Sequence, residues 1–322
     1  MKAYCWINYR ESDMRFLVLG GTGFIGSHIV DFLVSEGHEV RVVDNLSTGK
    51  IENLDSVINQ ITFIKGNITD SALMAKALDC VDYVFHLAAF ISVPLSMENP
   101  EKCFEDNITG TTQLLEASRK AGVKKVVLTS SAAVYGDAVK MPLTELSETT
   151  SLSPYAASKR TNEVVAELYS RAFDLPTVCL RYFNVFGPRQ SPKSFYAAVV
   201  PIFIEKQIKN ESLIVHGDGG QTRDFVFVKD IVRANWAAMH CDDANGQVFN
   251  ICSGKQTSLL DLIDALDEVQ ANDSRPVFSE SRIGDIYHSY GDPSKAKKLM
   301  GYVTKTDLAD GLEITMDWMR HQ

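Results

Sequence analysis

A rhythm in the chain narrows the possible folds more than any other feature. Between Arg15 and about Leu180, six short runs rich in β-branched residues recur: RFLVLG (15–20), EVRVVD (39–44), ITFIKG (61–66), DYVFHL (82–87), KKVVLTS (124–130) and TVCLRYF (177–183). Longer amphipathic stretches separate them, among them FIGSHIVDFLVSEG and ITGTTQLLEASRKAG, the second stopped by Gly122. Such alternation of strand and helix builds a parallel sheet covered on both faces, so the expected class is α/β with a doubly wound sheet over residues 14–187. After Gly187 the rhythm breaks into a helix near 195–209, a short strand in SLIVHG, helices at 229–240 and 257–269, and a last helix ending at Arg320. Residues 188–322 are expected as a smaller mixed α/β lobe, with chain crossings between the lobes and a ligand cleft where they meet.

Composition removes several function classes. A formal net charge of -9 argues against general nucleic-acid binding, which needs a basic surface, so an anionic ligand must be held by a few placed arginines. The cysteines at positions 5, 80, 103, 179, 241 and 252 form no CxxC pair and no cluster with histidine, which indicates neither a metal site nor a disulfide framework; reduced thiols in a cytoplasmic protein fit best. No apolar run approaches the roughly 20 residues of a membrane span. The first residues, MKAYCWINYRESD, lack the hydrophobic core of a signal peptide, and Met14 stands directly before the first strand. Residues 1–13 are therefore expected as a disordered extension or the product of an upstream start.

GGTGFIGS (20–27) follows the first strand and opens the first helix, with Gly20, Gly23 and Gly26 in Gly-x-x-Gly-x-x-Gly spacing. With no side chain in the way, a pyrophosphate can reach the backbone amides of the helix N-terminus, as in a Rossmann domain. Asp44 ends the second strand, placed to accept from adenosine ribose hydroxyls and to repel a 2'-phosphate. NAD is thus favoured over NADP. SPYAASKR (153–160) reads as a capped helix start: Ser153 is a good N-cap and Pro154 suits the first helical position. Four residues apart, Tyr155 and Lys159 share one helix face.

GGTGFIG, DNLSTG (44–49), HLAA (86–89), Asn107 of DNITGT, SSAAVYG (130–136) and YAASK (155–159) stand in an order and spacing that resembles the extended short-chain dehydrogenase/reductase family. Within it the chain looks most like NAD-dependent UDP-sugar 4-epimerases, nearest to the group using UDP-N-acetylglucosamine. The resemblance implies NAD contacts from Gly20, Gly23, Phe24, Ile25, Gly26, Asp44, Asn45, Ser47, Gly49, Asn67, Ile68, Leu87, Ala88, Ala89, Asn107, Tyr155, Lys159 and Tyr182. Asn67 stands where many relatives carry Asp, a small departure because an amide still hydrogen-bonds adenine. The same resemblance makes Tyr155 the base, Lys159 its partner and Ser131 the hydroxyl beside the substrate oxygen, and implies a homodimer through the helices near 100–121 and 154–173.

The chemistry asks for these residue types independently. Oxidising a sugar alcohol removes a proton from oxygen while a hydride leaves carbon, and a phenolate near that oxygen serves as general base. Bringing a tyrosine from about 10 to neutrality requires about 4 kcal/mol. A lysine ammonium and an oxidised nicotinamide each supply on the order of 3 kcal/mol at ~5 Å and an effective dielectric near 20, so both are needed. Ala132 and Ala133 follow Ser131 where dehydratase and decarboxylase relatives often carry an acid, which favours simple oxidation and re-reduction.

RYFNVFGPRQ (181–190), HGDGGQTRDFVFVKD (216–230) and RIGDIYHS (282–289) complete the resemblance. They imply a UDP diphosphate held by Arg223 and Arg282, whose guanidinium groups donate paired hydrogen bonds to phosphate. Further substrate contacts are implied for Asn184, Ser92, Tyr196, Val215, His216 and Asp285. The small Ser289 stands where a bulky residue would exclude an N-acetyl group, while Ile91 and Leu95 replace a glycine and an arginine common in N-acetyl-using relatives. The expected activity is interconversion of UDP-N-acetylglucosamine and UDP-N-acetylgalactosamine through a 4-keto sugar. The alternatives are a UDP-glucose 4-epimerase, a dehydratase or decarboxylase, and a non-catalytic NAD sensor.

Overall fold

The computed structural model describes residues 14–192, 198–271, 273–281 and 286–322. The supposed extension 1–13 and three expected substrate residues, Tyr196, Arg282 and Asp285, lie outside the described residues. The strands in chain order are β1 (Arg15–Leu19), β2 (Glu39–Asp44), β3 (Ile61–Lys65), β4 (Tyr83–His86), β5 (Lys125–Ser131), β6 (Thr177–Tyr182), β7 (Asn184–Phe186), β8 (Ile214–His216), β9 (Thr222–Arg223), β10 (Phe225–Phe227), β11 (Gln247–Ile251), β12 (Thr257–Ser258) and β13 (Val277–Ser279). The helices are α1 (Phe24–Ser35), α2 (Ser71–Ala77), α3 (Val93–Glu98), α4 (Pro100–Phe104), α5 (Gly110–Ala121), α6 (Pro154–Ala172), α7 (Val199–Ile208), α8 (Val228–His240), α9 (Leu259–Gln270), α10 (Ser294–Met300) and α11 (Leu308–Arg320).

Seven strands form one parallel sheet in the order β11-β6-β5-β4-β1-β2-β3, the Rossmann-like arrangement the rhythm predicts. The side chains of β1 explain why its run is apolar at every position after Arg15. Phe16 and Val18 enter the core under α1 and α8, whereas Leu17 and Leu19 enter the core under α2, α5 and α6. With both faces covered, the period-two alternation of a half-wet strand disappears. Sheet order reverses between β4 and β1, so the chain leaves the C-terminal ends of these two strands in opposite directions and opens a crevice there.

The second lobe has its own core. Phe203 and Ile204 of α7, Leu262 and Leu266 of α9, and Leu312 and Met316 of α11 pack on Phe225 and Phe227 of β10. Its strands pair two by two, β10 with β7, β12 with β9 and β13 with β8. The chain beyond Gly187 also contributes to the main sheet: β11 returns to pair with β6, and α8 covers the sheet beside α1. The helix expected near 100–121 is continuous from Pro100 into α5, reaching further back than the periodic ITGTTQ stretch shows, and it contains a π turn at Glu105–Thr109 where one residue more per turn re-aims Asn107.

Candidate active site

The glycine loop and the HLAA loop meet at the sheet crevice. Gly20 has φ +76, and a Cβ placed on it would lie 2.7 Å from the amide nitrogen of Ala88. On Gly26 a Cβ would lie 2.1 Å from the Gly20 carbonyl oxygen, which holds α1 tight against the turn. Gly23 is the N-cap of α1 and offers no capping side chain, so the first amides of the helix, ahead of Phe24 and Ile25, stay open to an anion.

The DNLSTG loop is stitched to this turn. Asp44 is buried; one of its oxygens accepts from the Thr22 amide at 3.0 Å and the other from the Leu46 amide at 2.8 Å. Asn45 closes an Asx turn onto the Ser47 amide at 2.9 Å, and the Lys50 amide and Asn53 Nδ2 donate to the Thr22 carbonyl. At Gly49 a Cβ would stand 2.1 Å from Thr22 Oγ1. That hydroxyl is buried and has no protein partner among the described residues, a signal absent from the sequence reading. On the far side of β2, Asn67 closes a second Asx turn onto Thr69, and Ile68 is buried against Gly110.

Asn107 acts at the π turn. Its Oδ1 accepts from the Phe90 amide at 2.7 Å, while its Nδ2 donates to the Phe90 carbonyl and to Ser158 Oγ at 2.9 Å. The side chain therefore clamps the segment after Leu87, Ala88 and Ala89 to the helix that carries Tyr155. Ser158 in turn donates to the Tyr155 carbonyl at 2.7 Å. Ser96, fully buried on α3, accepts from the Tyr155 amide at 3.2 Å. Neither Ser96 nor Ser158 was among the expected residues, because a serine in a helix gives no sequence signal of its own.

Helix α6 begins as predicted, with Ser153 Oγ accepting from the Ala156 amide at 3.1 Å and Pro154 in the first turn. Tyr155, Lys159 and Ser131 converge at the C-terminal end of β5. Burial pushes the Tyr155 phenol above its ordinary value, and a hydrogen bond with the Ser131 hydroxyl opposes that rise. Lys159 is buried, with its Nζ 5.8 Å from the Tyr155 ring centre and donating to the Thr129 carbonyl at 3.0 Å. Burial lowers its pKa to about 8. Desolvation thus works against both charged forms, the phenolate and the ammonium. His86, also buried, is pushed down to about 3 and stays a neutral partner of Thr111.

The remaining expected residues are more scattered. Tyr182 is buried in the main core, its hydroxyl accepting from Asn235 Nδ2 at 2.7 Å, with burial raising it to about 12. Ser92 caps α3 through the Leu95 amide. Asn184 on β7 is exposed, and its amide donates to the Asp224 carbonyl. Val215 lies wholly inside the second core, which leaves only its backbone for a ligand. His216 and Tyr287 line a cleft of about 540 Å³. Arg223 donates to the carbonyls of Thr222 and Tyr287, and the Ser289 amide donates to the Thr222 carbonyl, so β9 and the 286–289 segment form one unit. Among the described residues there is no cluster of histidine, cysteine and carboxylate able to hold a metal, and no helix long and apolar enough to cross a membrane.

Over residues 16–252 the chain matches the profile of the NAD dependent epimerase/dehydratase family. The chain belongs to that family. A curated family member, the UDP-glucose 4-epimerase of Mycolicibacterium smegmatis, is 38% identical over 313 residues, covering 96% of this chain and 99% of its own. Among solved structures, the UDP-N-acetylglucosamine 4-epimerase of Methanobrevibacter ruminantium in complex with UDP-N-acetylmuramic acid superposes with a TM-score of 0.93 at 40% identity, covering 97% of this chain and 99% of that one. The UDP-glucose 4-epimerase of Thermotoga maritima with UDP-glucose gives a TM-score of 0.91 at 41% identity, covering 96% and 99%. As for the family, the cofactor is NAD. The crevice fits it: a cradle that a Cβ at Gly20, Gly26 or Gly49 would fill, open helix amides, a buried carboxylate at Asp44 and the unpartnered Thr22 hydroxyl.

Proposed function

We propose that this protein is a UDP-sugar 4-epimerase that interconverts UDP-N-acetylglucosamine and UDP-N-acetylgalactosamine and accepts the non-acetylated pair as well. The observation that carries the reading is the convergence of Tyr155, Lys159 and Ser131 beside the glycine cradle, at the ends of strands where such sheets bind ligands. Tyr155 Oη takes the proton of the sugar 4-hydroxyl, directly or through Ser131 Oγ, and later returns it. The Lys159 ammonium, fixed by the Thr129 carbonyl, favours the phenolate that results. When bound, NAD supplies the oxidation at C4 and its reversal. Between the two, the 4-keto sugar turns over in the site, so no net oxidation occurs.

Asp44, Asn45, Ser47, Gly49, Asn67, Ile68 and the HLAA backbone hold the cofactor in this reading, with Asn107 setting the position of the loop after β4. Arg223 binds the diphosphate together with Arg282, and Asn184, Ser92 and His216 approach the nucleotide sugar. Alanine at 132 and 133 leaves no acid next to Ser131 for a second proton transfer, which supports epimerisation over dehydration or decarboxylation. The small Ser289, held beside Arg223, supports room for an N-acetyl group. A homodimer through α5 and α6 belongs to the same reading, supported by the exposed Val164 and Leu168 on α6.

Purified protein incubated with UDP-N-acetylglucosamine and resolved by anion-exchange chromatography should yield UDP-N-acetylgalactosamine of unchanged mass. A parallel incubation with UDP-glucose tests the second pair. Conversion of UDP-glucose alone removes the N-acetyl assignment, and a product of altered mass removes epimerisation. Tyr155→Phe should lower turnover by about 10²–10⁴-fold with NAD still bound, which is what general-base catalysis is worth; a fully active variant would refute the base.

A further inference from the structure

One face of α6 meets the end of β5 three times. Tyr155, Lys159 and Glu163 stand four residues apart on it, each against one of the last three residues of the strand. Tyr155 meets the Ser131 hydroxyl, Lys159 Nζ meets the Thr129 carbonyl at 3.0 Å, and Glu163 Oε1 accepts from Ser130 Oγ at 2.6 Å. The third contact has no place in the chemistry described so far, yet it is the most heavily built. Glu163 is 1% exposed and also accepts from Arg181 Nε at 2.7 Å and Arg181 Nη2 at 2.8 Å, a two-pronged ion pair in which the guanidinium is 3% exposed. The network continues across the sheet: Arg181 Nη1 donates to Tyr135 Oη at 2.8 Å, and that hydroxyl donates to Asn250 Oδ1 on β11 at 2.6 Å.

Apolar residues would be the ordinary choice for these places. Val126 and Leu128 of β5 and Cys179 of β6 pack beneath α6 against Ala166 and Tyr169, and Ser130 and Arg181 continue the same faces of their strands. Burying a carboxylate and a guanidinium costs desolvation that well-packed hydrophobic residues avoid, so such a pair is weak support for stability as such. What it adds is direction. Hydrogen bonds at fixed angles stop a helix from sliding or rolling on a sheet, which contacts between methyl groups permit. Because α6 carries Tyr155 and Lys159 while β5 carries Ser131, any slip between the two changes the catalytic geometry directly.

We propose that Glu163, held by Arg181 and Ser130, is a positioning residue that fixes α6 on β5 and so sets the Tyr155–Ser131 geometry in which the proton moves. The inference rests on the assignment of Tyr155 and Ser131 made above. A misplacement of about 1 Å can cost about 10²-fold in rate, so loosening this contact should act on kcat.

The test uses the NAD-bound enzyme and the UDP-sugar that the wild type converts. Three variants are compared: Ser130→Ala, Glu163→Gln, and Glu163→Gln combined with Arg181→Met, which removes the buried guanidinium left without its partner. Each is measured for kcat, KM, bound NAD and Tm. Ser130→Ala, which leaves the ion pair intact, should keep Tm, KM and NAD content while kcat falls several-fold. Glu163→Gln should lower Tm and reduce kcat at least about 10-fold at unchanged KM. The double variant should recover Tm without recovering kcat, and it keeps the test open if the single Gln variant fails to fold. Two results overturn the proposal: wild-type kcat in the folded variants, or a double variant whose kcat recovers along with its Tm, as a purely structural ion pair requires. A wild type with no activity on UDP-sugars, or a fully active Tyr155→Phe, instead removes the underlying assignment and this inference with it.

Discussion

Lys159 is a charge kept where charge is expensive. Its pKa of about 8 against an ordinary 10.5 corresponds to about 3 kcal/mol of lost stability below pH 8, because the folded state resists a proton that the unfolded chain holds. The sign follows from the unfolded state binding more protons between pH 8 and 10.5: stability rises with pH across that window as the buried amine gives up its proton. Lys159→Met should therefore stabilise the NAD-free protein at pH 7 by about 1–3 kcal/mol, after about 1 kcal/mol is set aside for the abandoned Thr129 carbonyl. Urea unfolding checks this, and the advantage over wild type should shrink between pH 8 and 10.5. Turnover should vanish in the same variant. The shared helix face of Tyr155 and Lys159 was legible because a four-residue spacing behind a Ser-Pro cap is a local pattern, whereas the chemistry proposed for them came only from the resemblance of the surrounding blocks. Glu163 continues that spacing by one more turn, yet in one dimension it is an ordinary helix acid. Only the fold brings it to Arg181 and Ser130.

Among the elements, the loops after β1 and β2 are joined into a single structural unit, since the carbonyl of Thr22 is held from both Lys50 and Asn53. Gly49→Ala tests that unity. The added methyl would fall 2.1 Å from Thr22 Oγ1 and 3.0 Å from the Gly23 nitrogen, so the loops must part. We expect a cost of about 1–3 kcal/mol and NAD binding weaker by at least ~10-fold, read by calorimetry and by the nucleotide released from denatured protein. Strands such as β1 and β6 were readable because both their faces are buried, which writes them as near-continuous apolar runs, whereas the edge strand β3, with no buried residue, was readable from its β-branched residues and its place in the rhythm. The π turn at Glu105–Thr109 was not: periodicity detects 3.6 residues per turn, and one inserted residue only blurs it. Strands as short as β9 and β12, two residues each, carry no period at all.

At the scale of the whole molecule, Asp224 ties the lobes at one buried point. Its two carboxylate oxygens accept from Ser253 N and Oγ, from Gly254 N and from Gly291 N, which joins β9 and β10 to the turn after β11 and to the segment after Ser289. Asp224→Ala strands three backbone donors, that of the buried Gly291 and the more accessible ones of Ser253 and Gly254, and should cost about 3–5 kcal/mol in urea unfolding, with Asp224→Asn costing clearly less. A parallel fall in affinity for UDP, measured by calorimetry, would show that the same joint holds Arg223 in place. None of this long-range closure was readable from the sequence, because its partners are loop residues 29 to 67 positions away.

The return of β11 to the edge of β6 has a consequence for how the chain is made. Emerging from the ribosome, the first 187 residues contain the whole glycine cradle and all three side chains proposed to carry the chemistry. Yet β6, buried at every position in the finished protein, still lacks its outer neighbour. Some sixty further residues, including much of the second lobe, must be synthesised before that edge closes. A nascent chain therefore owns its chemistry before it owns a sealed sheet, and the two halves cannot be exchanged between relatives as separate modules.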